Sequence, residues 1–211
     1  MIDHERKVIF VHIQKTGGTS ITAHFGLPAE LPEKHFTALE LRDLYGRPQW
    51  GTYFTFSVVR NPWDRLVSWW AMIDAHRADW QRGSRLNAFQ TYVLERATTF
   101  EDFIANCGDE VRDTDGAKSI HRNQIDYLVD EAGTLMVDKV CRFERLAEDF
   151  QQVMERTGIS GPLPVINASR RRDYRRYYTE ETRALVAQLY ARDIAFFGFE
   201  FGDGRISPAI A

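Results

Sequence analysis

The stretch VIFVHIQKTGGTSI, residues 8–21, constrains this chain more than any other. Its continuous β-branched and aromatic run reads as a strand buried on both faces, as in a parallel sheet. The run ends at Lys15, Thr16, Gly17 and Gly18, after which Thr19 and Ser20 are expected to cap a helix. A strand that stops at a glycine turn and feeds a helix gathers main-chain N–H groups and the positive end of the helix dipole at one point, which attracts phosphate or sulfate. Gly17 and Gly18 let the backbone approach such an anion, Thr16, Thr19 and Ser20 add hydroxyl donors, and Lys15 adds a mobile charge. Composition alone leaves an ordinary tight turn with an exposed lysine equally open. The order of residues speaks against a nucleoside-triphosphatase loop, which carries its lysine and magnesium-binding hydroxyl after the last glycine. Here the lysine comes first, and no convincing acidic strand end accompanies it, so a metal-dependent phosphoryl transferase is disfavoured.

A second segment, FSVVRNPWDRLVSWW at residues 56–70, repeats the plan of strand, sharp stop and helix. Arg60 stands at the carboxyl end of the strand, where open α/β sheets bind ligands. Pro62 suits the first helical turn. Ser68 lies two turns into that helix, and Arg65 is a further candidate that could equally pair with Asp64 or face solvent. Elsewhere, residues 37–46 read as a helix with Thr37 and Glu40 as a capping box and Gly46 as its stop. Residues 78–98 are polar with weak periodicity and read as a surface insertion. Residues 99–108 form a short amphipathic helix, and the following stretch to 124 reads as loop. Residues 134–137 and 139–143 are strand material, 143–158 a helix stopped by glycine, 169–178 a basic aromatic loop, and 179–198 one long helix capped by Thr179. The alternation predicts a single three-layer α/β domain over residues 1–211, with a P-loop-like, mainly parallel central sheet.

The remaining constraints are mostly exclusions. A chain of 211 residues that is 44% hydrophobic suits one sizeable core. A net charge of -3 argues against a nucleic-acid coat protein, so no nucleic-acid partner is expected. Cys107 and Cys141 lie far apart without metal-ligand spacing and read as reduced, partly buried thiols. No metal is expected. The segment MIDHERKVIF carries acids and runs straight into a strand, unlike a leader or anchor, and no apolar run approaches the roughly 20 residues that span a bilayer. The expectation is a soluble, cytoplasmic protein with no membrane partner. The oligomeric state is not legible.

The pair HIQKTGGTSI and FSVVRNPWDRLVSWW resembles the two signature motifs of the sulfotransferases, in the carbohydrate branch related to heparan sulfate 2-O-sulfotransferase. Weaker resemblance runs through NQIDYL, VCRFERLAEDF and YYTEETRALVAQLYARDIAFFGFEF, so it covers most of the chain, which looks like a soluble bacterial-type member. The resemblance implies that Lys15, Thr16, Gly17, Gly18, Thr19 and Ser20 hold the 5′-phosphosulfate of 3′-phosphoadenosine 5′-phosphosulfate. Arg60 and Ser68 would hold its 3′-phosphate, with 3′,5′-adenosine bisphosphate as product. Arg170, Arg171 and Arg172 in the basic loop would close over the donor, or grip an acidic acceptor. The acceptor would be a hydroxyl, on a carbohydrate or glycosylated small molecule.

An acceptor hydroxyl needs a group to take its proton, and histidine suits that task near neutral pH. The resemblance points to His35, between the two motifs, as base and acceptor contact; His121, Glu33 and Asp64 stay open as alternatives. His12 reads as a core histidine. Gln124 resembles a position on the acceptor side, and it reads equally as a residue bonding a loop backbone. Trp80, Arg82 and Arg85 lie where acceptor selectivity would reside. Two rivals remain: a P-loop-type small-molecule kinase, which would consume ATP with magnesium, and a nucleotide-binding relative that has lost turnover.

Overall fold

In the computed structural model the described residues are 1–28, 30–113, 116–166 and 172–202. Along the chain run β1 (Ile2–Asp3), β2 (Val8–Val11), α1 (Gly18–His24), α2 (Ala38–Tyr45), α3 (Arg47–Thr52), β3 (Phe54–Val59) and α4 (Pro62–Asp74). There follow α5 (Arg77–Gln81), α6 (Ala88–Arg96), α7 (Phe100–Asn106), β4 (Val111–Asp113), β5 (Gly116–Lys118) and β6 (Lys139–Arg142). The last elements are α8 (Leu146–Thr157), α9 (Glu180–Leu189) and α10 (Ala191–Phe197). Single 3-10 turns stand at Ile125–Tyr127, Phe143–Arg145 and Tyr174–Tyr177. The chain divides into two units, residues 1–60 with 124–168, and residues 61–123 with 169–211.

The first unit is mixed α/β with a mainly parallel sheet in the order β1-β2-β3-β6, where β1 alone runs antiparallel. Its central strands are apolar on both faces because both are covered, which is why β2 reads as an unbroken run. Register follows from packing: Phe10 pairs with Phe56, and their rings stack at 4.8 Å. Around them pack Ile21 of α1, Phe25 just after it, and Phe150 and Val153 of α8. At the start of β6, the Asp138 carboxylate accepts hydrogen bonds from the Thr55 N–H and hydroxyl. The pairings Val11 with Ser57 and Val59 with Arg142 bring the carboxyl ends of three parallel strands together. Residues 12–17, Arg60 and Phe143 all emerge from that edge, the end at which such sheets hold ligands.

The second unit is built on α4, whose residues from Pro62 to Trp70 are all buried. Asn61 caps it by accepting from the N–H groups of Trp63 and Asp64, and Pro62 occupies its first turn as the sequence predicts. Aromatic contacts organise this unit: Trp63 and Tyr178 meet Phe201 edge-on, and Trp69 tilts against Phe89.

Several expectations need correction. Residues 78–98 are not a bland surface insertion, since α6 buries Phe89, Tyr92, Val93 and Leu94; a buried stripe on so short a helix leaves little periodicity to read. Within 109–124, β4 and β5 pair antiparallel. Residues 134–137 supply only an isolated bridge, Val129 with Leu135. The long helix breaks at Tyr190, where the Asn123 amide donates to the Leu189 carbonyl and accepts from the Asp193 N–H. A side chain that takes both main-chain groups substitutes for the helical bonds, a tertiary effect invisible to local periodicity.

Candidate active site

The loop after β2 departs from a simple cap. Helix α1 begins at Gly18 behind Gly17, whose φ of 89 is left-handed and which supplies no side-chain cap, so Thr19 and Ser20 lie inside the first turn. Lys15 is also left-handed, with φ 67. Thr16 is fully buried and its hydroxyl donates to the Ile13 carbonyl at 2.8 Å, so toward an anion it offers its main-chain N–H and not the hydroxyl donor expected from sequence. Ser20 accepts from the Ile166 N–H at 3.1 Å, which leaves its own hydroxyl proton to give.

The two glycines have separate reasons. A Cβ on Gly18 would lie 1.9 Å from His12 Nε2, so the glycine exists to admit the His12 ring, itself stacked on Phe10. At Gly17 a Cβ would meet Phe143 Cε2 at 3.1 Å, on a backbone that already favours glycine. Gly18→Ala is therefore expected to destabilise the protein by about 1–3 kcal/mol, seen as a lower melting temperature. His12→Ala in the same background should restore part of the loss; an unchanged melting point in the single variant would contradict the close approach.

Arg60 is buried, 5% exposed. Its Nη1 donates to the Lys15 carbonyl at 3.0 Å, and its guanidinium lies over the Phe143 ring, 3.9 Å from the centroid. Its backbone is gripped by Gln124, whose Oε1 accepts from the Arg60 N–H and whose Nε2 donates to the Arg60 carbonyl, each at 2.8 Å. Fully buried, Gln124 thus takes the backbone-bonding alternative weighed in the sequence and continues the strand pairing where no strand remains. Three residues on, the Tyr127 hydroxyl donates to Gln14 Oε1 at 2.8 Å, so one short segment supports both Arg60 and the lysine loop. Gln14, Tyr127 and Phe143 were missed from sequence; the only signal was their place in NQIDYL, VCRFERL and the motif itself.

His35 sits just before α2, where Thr37 and Glu40 form the predicted capping box and Tyr45 donates to Glu33 at 3.2 Å. Burial, and then the Glu33 charge, push the Tyr45 hydroxyl well above its ordinary range, so it remains a donor to that carboxylate. His35 Nδ1 lies 3.0 Å from the His12 carbonyl, and the two imidazoles meet edge-on at 4.6 Å. A carbonyl can only accept, so Nδ1 carries the proton and Nε2 holds the lone pair in the neutral ring. That is the tautomer a proton acceptor requires.

A family model described as the sulfotransferase family matches residues 1–200. The chain belongs to the sulfotransferase family. No curated protein and no solved structure gave a match.

In this sulfotransferase-family chain the second unit carries the remaining candidates. Ser68 lies on α4 and is 6% exposed. Arg65 is fully buried and donates to the Arg122 carbonyl at 3.4 Å, which removes the solvent-facing alternative. His121 is tied down: Nε2 donates to the Ile104 carbonyl at 2.9 Å, at the end of α7, and Nδ1 abuts Gly108, where a Cβ would lie 2.1 Å away. Burial pushes the thiols up, Cys107 to about 11 and Cys141 to about 12, so neither offers a thiolate near neutral pH. Arg172 is exposed, and Arg170 and Arg171 lie outside the described residues. No group of three or more His, Cys, Asp or Glu is gathered for a metal among the described residues. No described helix is long and apolar enough to cross a membrane.

Proposed function

We propose that this protein transfers a sulfuryl group from 3′-phosphoadenosine 5′-phosphosulfate to an acceptor hydroxyl on a sugar, as a soluble, cytoplasmic, single-domain member (residues 1–211) of the carbohydrate branch with a P-loop-like fold. The observation that carries the reading is the convergence of the Lys15 loop, Arg60 and a tautomer-oriented His35 on the carboxyl edge of the parallel sheet. Lys15 and the main-chain N–H groups of residues 16–19 suit a phosphosulfate, the Ser20 N–H being spent on the Gly17 carbonyl. Arg60 and Ser68 are assigned the 3′-phosphate by the resemblance, as are Arg170, Arg171 and Arg172 the closing loop. The two free thiols suit a reducing compartment.

In the reaction, the acceptor oxygen forms a bond to sulfur as the bond between sulfur and the bridging phosphate oxygen breaks. The acceptor proton passes to His35 Nε2, and Lys15 stabilises the charge left on the phosphate oxygen. The transferred group bears a single negative charge, less than a phosphoryl group, so lysine and aligned N–H groups suffice in this scheme without a metal. Gln124 is assigned to the acceptor side by the resemblance, and it holds the Arg60 end of the strand there. Calorimetry with 3′,5′-adenosine bisphosphate tests the donor assignment. Wild type should bind, and Arg60→Ala should bind about 10–100-fold more weakly, as expected for losing a charge-assisted contact. No binding to wild type, or equal binding to the variant, would sink the reading.

A further inference from the structure

We infer that Phe143 is a positioning residue that holds Arg60 against the lysine loop and so makes the two phosphate sites of the donor one mechanical unit; this rests on the function proposed above. The ring stacks on Arg60 and lies beside Gly17 of the loop. The Arg60 guanidinium carbon lies 3.9 Å from its centroid, and its Cε2 leaves only 3.1 Å for a Cβ at Gly17. Arg60 in turn reaches the Lys15 carbonyl, so its guanidinium is set between the Phe143 ring and the lysine loop, and the same ring leaves little room for a side chain at Gly17.

Phe143 is itself held. It opens the 3-10 turn between β6 and α8, and Asp149 of α8 clasps that turn from both sides. The Asp149 carboxylate accepts from the Arg142 N–H at 2.7 Å and pairs with Arg145 Nε at 3.1 Å. The ring is therefore carried on the rigid sheet edge and not on a free loop. Stacking on an aromatic face fixes the plane of a guanidinium, and so the direction of its N–H donors, whereas an unstacked arginine can turn them away and a lysine has no such plane. Removing the ring should let Arg60 swing while its backbone stays clamped by Gln124.

The test compares two ligands that differ only in the 3′-phosphate, 3′,5′-adenosine bisphosphate and 5′-AMP, by calorimetry on wild type, Phe143→Leu and Phe143→Tyr. The preference for the bisphosphate should fall about tenfold in Phe143→Leu and stay within about twofold in Phe143→Tyr, which keeps the stacking face. A merely structural role would weaken both ligands by the same factor, and an unchanged preference in Phe143→Leu overturns the inference. If wild type itself shows no preference, the 3′-phosphate assignment of Arg60 fails, and the inference with it. Thermal melts accompany each variant, and Phe143→Met, read in the same way, replaces the leucine variant should that one not fold.

Discussion

Replacing His35 by asparagine is expected to lower the rate of sulfuryl transfer about 10²–10⁴-fold, the usual contribution of a positioned general base, while leaving 3′,5′-adenosine bisphosphate affinity nearly unchanged. Asparagine is the informative choice because its side-chain N–H can follow Nδ1 to the His12 carbonyl, 3.0 Å away in the native arrangement. The variant keeps the anchor before α2 and loses the basic Nε2 together with the ring contact to His12. The measurement is release of the bisphosphate from the donor in the presence of an acceptor found by screening. Should His35→Asn turn over at near wild-type rate with donor binding intact, the proton must go elsewhere. Glu33 would then be the nearer substitute, since it lies in the same turn and already accepts from Tyr45. His121 would be the poorer one, with one nitrogen on the Ile104 carbonyl and the other against Gly108.

The elements that position this site were legible where local chemistry decides them. The unbroken apolar run of β2, the Thr37 and Glu40 capping box, and Asn61-Pro62 at the head of α4 each state their role within a few residues. What stayed hidden depends on contacts that neither propensity nor periodicity encodes, some within one turn and others between residues far apart in the chain. Thr16 looked like an anion donor because nothing local shows that the Ile13 carbonyl takes its proton. Gly18 looked like a place for an anion, whereas the His12 ring takes the space. Gln124 bonds Arg60 across 64 positions, and Asn123 breaks a helix that begins 57 residues later, at Glu180, by a bond to Leu189 that spans 66 positions. Such pairings arise only once the sheet and helices have folded.

Lys15 allows a prediction in which stability and activity move in opposite directions. Its φ of 67 places an ordinary L-residue in the left-handed region, a conformation that costs roughly 1 kcal/mol or more and that asparagine and glycine tolerate best. The carbonyl of the same residue accepts from Arg60, so the strained backbone is held in place by a main-chain contact that any side chain would keep. Lys15→Asn should therefore leave the fold intact and raise its stability by up to about 1 kcal/mol, read as a small increase in melting temperature. In the proposed reaction the same substitution removes the ammonium placed at the leaving phosphate oxygen, and transfer should fall about 10²–10³-fold, as on deleting one oxyanion donor. A loss of both stability and activity would mean that the lysine side chain braces the loop. A gain in stability with activity preserved would remove Lys15 from the chemistry. Only the opposed outcome fits a residue kept in an unfavourable conformation for the charge it delivers.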